Sequence, residues 1–154
     1  MRLTVPIRLR WSDFDAYQHV NNAELLRLLE EARIEAFWAT DEESTAATAV
    51  LDGRPGADTM TLIARQEVEY LLPIPYTRSP LEIELWIGHL GGASLRLCYE
   101  IFSPAGVLPR LTYARAETTL VMVRAATGRP ERITDAQRAA WAPYVEAPLE
   151  FSRR

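Results

Sequence analysis

Apolar and polar side chains alternate strictly from the start of the chain: Leu3, Val5, Ile7, Leu9 and Trp11 on one face, Thr4, Pro6, Arg8, Arg10 and Ser12 on the other. Successive side chains of a strand point to opposite faces, so this pattern predicts a half-buried strand. Pro6 has no N–H to donate, which puts the strand at a sheet edge or the residue at a non-bonded position. A polar stretch, Ser12 to Asn22, follows. The period then changes. Leu25, Leu28, Leu29, Ala32 and Ala36 recur at helical spacing and Phe37 widens the stripe. Arg27, Glu30, Glu31, Arg33 and Glu35 lie mainly on other faces, so a helix is predicted from about Ala23 to Thr40. Asn21, with Glu24 three positions on, resembles a capping box and marks the helix start.

From Thr40 to Thr59 the chain is polar and alanine-rich, with a turn signal at Asp52-Gly53-Arg54-Pro55-Gly56 and room for a short helix near Glu42 to Val50. Period two then returns. Val68, Tyr70 and Leu72 alternate with Glu67, Glu69 and Leu71; Leu81, Ile83, Leu85 and Ile87 with Glu82, Glu84 and Trp86; Leu95, Leu97, Tyr99 and Ile101 with Arg96, Cys98, Glu100 and Phe102. Gly91-Gly92 and Pro104-Ala105-Gly106 read as hairpin turns between strands. A last long strand spans about Leu108 to Arg124 and is broken at Thr127-Gly128-Arg129-Pro130. Thr134 or Asp135 caps a short helix to about Ala142. Strands joined by short hairpins do not build a doubly wound parallel sheet, so the fold class is α+β: one long helix over one curved antiparallel sheet of about five strands. No internal repeat or linker is visible, and 154 residues suit a single domain, with a core from about 3 to 130.

Composition narrows the function. All seventeen basic residues are arginine, so every side-chain cationic contact, histidine aside, is a guanidinium. A net charge of −4 and a pI of about 5.3 give no general field for nucleic acid, so no nucleic-acid partner is expected. One cysteine, Cys98, and two histidines, His19 and His89, exclude a disulfide framework, a thiolate zinc cluster and a His-rich metal site. No bound metal and a reducing, cytoplasmic setting are the expectation. Arg8, Arg10 and Pro6 interrupt the first apolar positions, which excludes a signal peptide there, and nowhere do about eighteen apolar residues run together as a spanning helix needs.

The chemistry-bearing residues crowd between the first strand and the helix: Asp13, Asp15, Tyr17, His19, Asn21 and Asn22. A helix start offers unpaired N–H groups and about half a positive charge, which polarise a carbonyl and stabilise an oxyanion. A carboxylate beside it can attack the carbonyl carbon or deprotonate water. Arg10-Trp-Ser-Asp-Phe-Asp15-Ala-Tyr-Gln-His19-Val-Asn-Asn22, continuing to Glu30-Glu-Ala-Arg33, resembles the signature of the hotdog-fold acyl-CoA thioesterases of the 4-hydroxybenzoyl-CoA thioesterase family. Val68-Glu-Tyr70 with Pro73, Gly91-Gly-Ala-Ser94 and Ala114 to Val123 extend the likeness over about residues 3 to 130.

The resemblance implies a hotdog fold, hydrolysis of a small-molecule acyl thioester, and coenzyme A as part of the substrate rather than a cofactor. It makes Asp15 the catalytic carboxylate and the backbone N–H of Asn22 the group that polarises the carbonyl, with His19 shaping the site. Asn21, Tyr17 and Leu25 would contact substrate, and Glu30 would support the site. Gln18 stands where many relatives have glycine and Leu25 where they commonly have tyrosine, so the turn and the acyl pocket depart from the pattern. Arg124 and Arg129 are candidate partners of the coenzyme A phosphates, because guanidinium pairs well with phosphate. Cys98, mid-strand, is a packing residue and His89 an exposed strand-end residue.

A single helix leaves a sheet edge uncovered, so a homodimer joined edge to edge is expected, with a dimer of dimers as the larger assembly the resemblance allows. Two rival functions remain at this level. One is a non-catalytic acyl-ligand-binding domain. The other is a hotdog dehydratase, which would need a catalytic histidine with a partnered acid.

Overall fold

The computed structural model describes residues 1–40 and 46–153. Five antiparallel strands, β1 (Leu3–Ile7), β2 (Thr59–Tyr70), β3 (Leu81–Leu90), β4 (Ser94–Phe102) and β5 (Thr112–Arg124), form one sheet in the order β1-β3-β4-β5-β2. Helix α1 (Asn22–Phe37) lies between β1 and β2 in sequence, and α2 (Asp135–Trp141) follows β5. β1 is an edge strand, one of the two placements that Pro6 allowed, and pairs with β3. The other edge is β2, twelve residues long. The hairpins fall at Gly91-Gly92 and at 104–110, where Gly106 has φ +86°.

The core is one cluster. α1 buries Leu25, Leu28, Leu29, Ala32, Ala36 and Phe37 against inward-facing strand residues such as Ile83, Leu85, Leu97, Tyr99 and Ile101. Each fully buried leucine, isoleucine or phenylalanine contributes roughly 1.5–3 kcal/mol. Thr134 caps α2 by accepting from the Gln137 N–H. Trp141 of α2 is fully buried, packs edge-on against Phe37 at 6.0 Å and donates from Nε1 to the Thr48 carbonyl at 2.9 Å.

Four boundaries depart from the periodicity. β1 ends at Ile7, because Arg10 and Asp13 close a 3-10 turn (Trp11–Asp13) that leaves Trp11 exposed rather than on the inward face. α1 ends at Phe37, because Trp38 turns extended to pair with Leu51. β2 begins at Thr59, since pairing with β5 extends it through residues whose own pattern is weak. β5 begins at Thr112, beyond the loop that contains the cis Leu108-Pro109 bond. Of the short helix expected near Glu42 to Val50, positions 42–45 lie outside the described residues and 46–50 make a turn, with the Ala49 N–H on the Ala46 carbonyl at 2.9 Å.

Arg33 also departs from expectation. It sits on the same side of α1 as Leu29 and Ala36, and is buried at 4% exposure. The outer face of the sheet is covered too. Trp86 is 2% exposed although it alternates with the inward residues of β3. The segment after α2 crosses it: Val145 pairs with Ile87, and Trp86 Nε1 donates to the Ala147 carbonyl at 2.9 Å.

Candidate active site

The polar segment before α1 folds as a small hairpin. The Asn21 N–H donates to the Asp13 carbonyl at 2.8 Å, the Asp15 N–H to His19 at 3.0 Å, and the Gln18 N–H back to Asp15 at 3.0 Å, while Phe14 pairs with Val20. Its outer strand is tied to the chain near residue 75: the Val20 N–H donates to the Ile74 carbonyl at 3.0 Å, and His19 pairs with Pro75. Gln18, the departure from glycine, has φ +61°. The turn therefore keeps a glycine-like shape, at the roughly 1–2 kcal/mol that an L side chain costs in the left-handed region.

The two acids are in different surroundings. Asp13 is fully buried, and its Oδ2 accepts the Arg10 N–H at 2.6 Å. Its Oδ1 accepts Arg10 Nη2 at 2.9 Å and lies 3.5 Å from Arg27 Nη2 of α1. Oδ2 of Asp13 is thus spent on closing the loop and Oδ1 on joining it to the helix. Asp15 is half-buried. Its Oδ1 accepts the Tyr17 N–H at 2.9 Å, closing an Asx turn, and its Oδ2 has no partner among the described residues.

The helix start leaves donors open, among them the Asn22 N–H. The Ala23 N–H is taken twice over, by Oδ1 of Asn21 and Oδ1 of Asn22, each at 2.9 Å. The Leu25 N–H bonds the Asn21 carbonyl at 3.0 Å. The Asn22 N–H has no acceptor among the described residues, and it stands at the positive end of a sixteen-residue helix. Tyr70, at the end of β2, donates its hydroxyl to the Asn22 carbonyl at 3.2 Å, and burial raises the pKa of that phenol. An acid with a free oxygen and a free N–H at a helix start are the two parts that carbonyl attack requires.

The other expected residues are placed as follows. His19 and Tyr17 are exposed, Tyr17 at 82%. Asn21 is the N-cap. Leu25 is in the core cluster at 1% exposure. Glu30 is exposed on α1, at the border of a cleft behind the helix. Arg124 and Arg129 come together with Arg132 around an open hollow of about 560 Å³. Arg124 pairs there with Glu131 at 2.9 Å. Cys98 is buried and His89 exposed.

The sequence pattern missed three features. Arg27 reaches the loop acid from α1. Arg33 is buried. Trp11, Phe14 and Tyr76 form an aromatic cluster beside the hairpin, with ring centroids 5.4 to 6.2 Å apart. Nothing local signalled that Arg27 reaches Asp13 or that Tyr76 joins the aromatic cluster. Among the described residues no group of three or more His, Cys, Asp or Glu could hold a metal ion, and no helix is long and apolar enough to cross a membrane.

A family model described as the thioesterase-like superfamily matches residues 9–141. Similar solved structures include the PA5185 protein of Pseudomonas aeruginosa PAO1, 24% identical over 96% of this chain and 94% of that one, with a TM-score of 0.76. The PA2801 protein of the same species is 29% identical over 89% and 95%, with a TM-score of 0.69. Slr0204 of Synechocystis, a 1,4-dihydroxy-2-naphthoyl-CoA thioesterase, is 16% identical over 92% and 96%, with a TM-score of 0.70. No curated protein matches the chain.

Proposed function

The chain belongs to the thioesterase-like superfamily, and from that premise we propose that it hydrolyses an acyl-CoA thioester to the free acid and coenzyme A. The reading treats α1 as the helix that the curved sheet wraps. It is carried by one observation: among the described residues, Asp15 Oδ2 and the Asn22 N–H are both without partners, on a loop that Asp13 and Asn21 hold in place. The superfamily match and the hairpin geometry support it together.

In this proposal the thioester carbonyl oxygen accepts the Asn22 N–H and the carbon becomes electrophilic. Asp15 then acts in one of two ways. As nucleophile, its carboxylate adds to the carbon, coenzyme A leaves as thiolate, and water hydrolyses the mixed anhydride. As general base, it takes a proton from the water that attacks, and coenzyme A leaves from the tetrahedral intermediate. Asn21 fixes the helix start, and His19 and Tyr17 border the reacting group. Leu25 backs the site from the core. Arg124 and Arg129, with Arg132, receive the phosphates of the coenzyme A moiety.

The catalytic unit in this proposal is a homodimer formed along β2. That strand is an unpaired edge of twelve residues, and Met60, Leu62 and Ile63 on it are 44–49% exposed. A long apolar edge of this kind is either paired or an aggregation hazard. Sedimentation of an active monomer would contradict the dimer.

The test is Asp15→Asn assayed on a panel of acyl-CoAs. A loss of about 10²–10⁴ in turnover with unchanged circular dichroism is expected; near-normal turnover overturns the assignment. Absence of hydrolysis across the panel by the native protein would favour a non-catalytic acyl-binding domain. Single-turnover reaction in ¹⁸O-water separates the two routes, because only the anhydride route puts label into the Asp15 carboxylate.

A further inference from the structure

A cleft of about 900 Å³ lies not at the hairpin but behind it, between the second half of α1, the segment from Val50 to Asp58 and the start of β2. One wall is apolar, built by Ile34, Met60, Ile63, Leu120 and Met122. Arg33 also lines it. Arg33 is 4% exposed, forms no ion pair among the described residues, and has one hydrogen bond there, from Nη1 to the Tyr99 hydroxyl at 3.2 Å. Tyr99 is itself fully buried on β4.

A guanidinium has five N–H donors, and a single neutral hydroxyl satisfies little of that capacity. Taking an ion out of water costs several kcal/mol unless an opposite charge compensates it. Among the described residues none of the three acids that line the cleft, Glu30, Asp52 and Asp58, forms an ion pair with Arg33. Glu30 is exposed and makes no ion pair with Arg33, and Asp52 is held by Arg54 at 2.8 Å. None of the Arg33 nitrogens is a sealed orphan, so its unbonded N–H groups keep contact with the cleft. A cleft with one apolar wall and a buried cation that forms no ion pair among the described residues suits a ligand with a methylene chain and a terminal anion.

We propose that this cleft receives the far end of the acyl group and that Arg33 selects acyl groups carrying a terminal carboxylate, by a forked pair of N–H donors to its two oxygens. The proposal rests on the thioesterase reading and adds its substrate class: the monothioester of a linear dicarboxylic acid. The length is consistent. From Asn22 to Arg33 the helix advances about 16 Å, and the side chain leans back toward the helix start, so a medium chain spans the interval.

Two measurements on the intact protein test it. The first compares hydrolysis of octanoyl-CoA with that of its ω-carboxylated counterpart, suberyl-CoA, by native protein and by Arg33→Met. A kcat/KM ratio of at least about tenfold in favour of suberyl-CoA is expected for native protein, collapsing toward one in the variant. A merely structural Arg33 would lower stability or both rates and leave the ratio where it was, which overturns the proposal, as does a native preference for octanoyl-CoA. If Arg33→Met does not fold, Arg33→Lys serves, since an ammonium keeps the charge without the fork and is expected to give an intermediate ratio. The second measurement is calorimetric binding of free suberate to native and variant protein. Arg33-dependent suberate binding without hydrolysis of any thioester would leave the anion cleft standing and remove the hydrolase reading. Hydrolysis of octanoyl-CoA with no suberate binding would do the reverse.

Discussion

Arg10 holds both oxygens of Asp13, its backbone N–H on Oδ2 at 2.6 Å and its Nη2 on Oδ1 at 2.9 Å. Two positions on, Asp15 spends only Oδ1, on the Tyr17 N–H. Identical side chains on one loop are thereby given different work. Asp13 joins the loop to α1 through Arg27 as well, and Asp15 keeps an oxygen with no partner among the described residues. Asp13→Asn is therefore expected to cost about 1.5–3 kcal/mol of stability, the range for hydrogen bonds to a charged group, with a smaller fall in turnover. Asp15→Asn is expected to show the opposite split. Urea unfolding and steady-state kinetics on both variants check this, and an equal kinetic loss would mean that the acids act as a pair.

The left-handed turn at Gln18 predicts a specific ranking of substitutions. Gln18→Gly relieves the strain of φ +61° and is expected to raise stability by about 0.5–1 kcal/mol, because part of the gain is lost to the freer unfolded chain. Gln18→Val, branched at Cβ, is expected to lower stability by at least about 1 kcal/mol. Thermal melting of the three proteins orders them, and a glycine variant less stable than the native would contradict the turn geometry.

Cys98 is buried in the row Trp86, Cys98, Glu117 on the outer face of the sheet. Burial pushes its thiol pKa up. A thiol reagent at neutral pH is expected to leave the folded protein unmodified and to label one equivalent after unfolding. Removing the residues after Tyr144 takes away Ala147 and Pro148, which cover Trp86 and the Gly88 backbone beside Cys98. Labelling at neutral pH is then expected in the folded truncated protein. Continued protection would show that the tail is not the cover.

At the border of the cleft, the hydrogen bond from the Arg54 side chain lowers the Asp52 pKa from 3.8 to about 2, with further help from the Arg54 backbone N–H. A depressed folded-state value means that the pair stabilises the fold at pH above about 4 and that this contribution fades as pH falls toward 2. The site is fully exposed, so the effect on global stability is small. Carboxyl titration by NMR is expected to place the Asp52 midpoint near 2 and to return it toward 3.8 in Arg54→Gln. A midpoint unchanged by that substitution would remove the pairing.

Much of this was legible in the linear pattern, for physical reasons that can be named. Period-two alternation located β1, β3 and β4, and period 3.6 located α1, because a side chain's facing depends only on its neighbours' backbone geometry. Asn21 was recognisable as the cap and Thr134 as the start of α2, since a cap is a contact over two or three residues. Asp15, His19 and Asn22 stood out as candidates because they belong to one short polar loop whose pattern resembles a family signature.

What the tertiary structure decided depended on residues far apart in sequence. β2 begins at Thr59 only because β5 pairs with it, and Trp86 is buried only because residues sixty positions later cross over it. The burial of Asp13, and the ion pair that Arg27 brings to it from α1, appear only in the packed chain. Arg33 read as a surface charge by its type, and its burial against Tyr99, 66 positions away, follows from the meeting of α1 with the sheet. Local pattern determines which way a side chain faces; what it faces, and whether a charge there finds a partner, is a property of the packed chain alone.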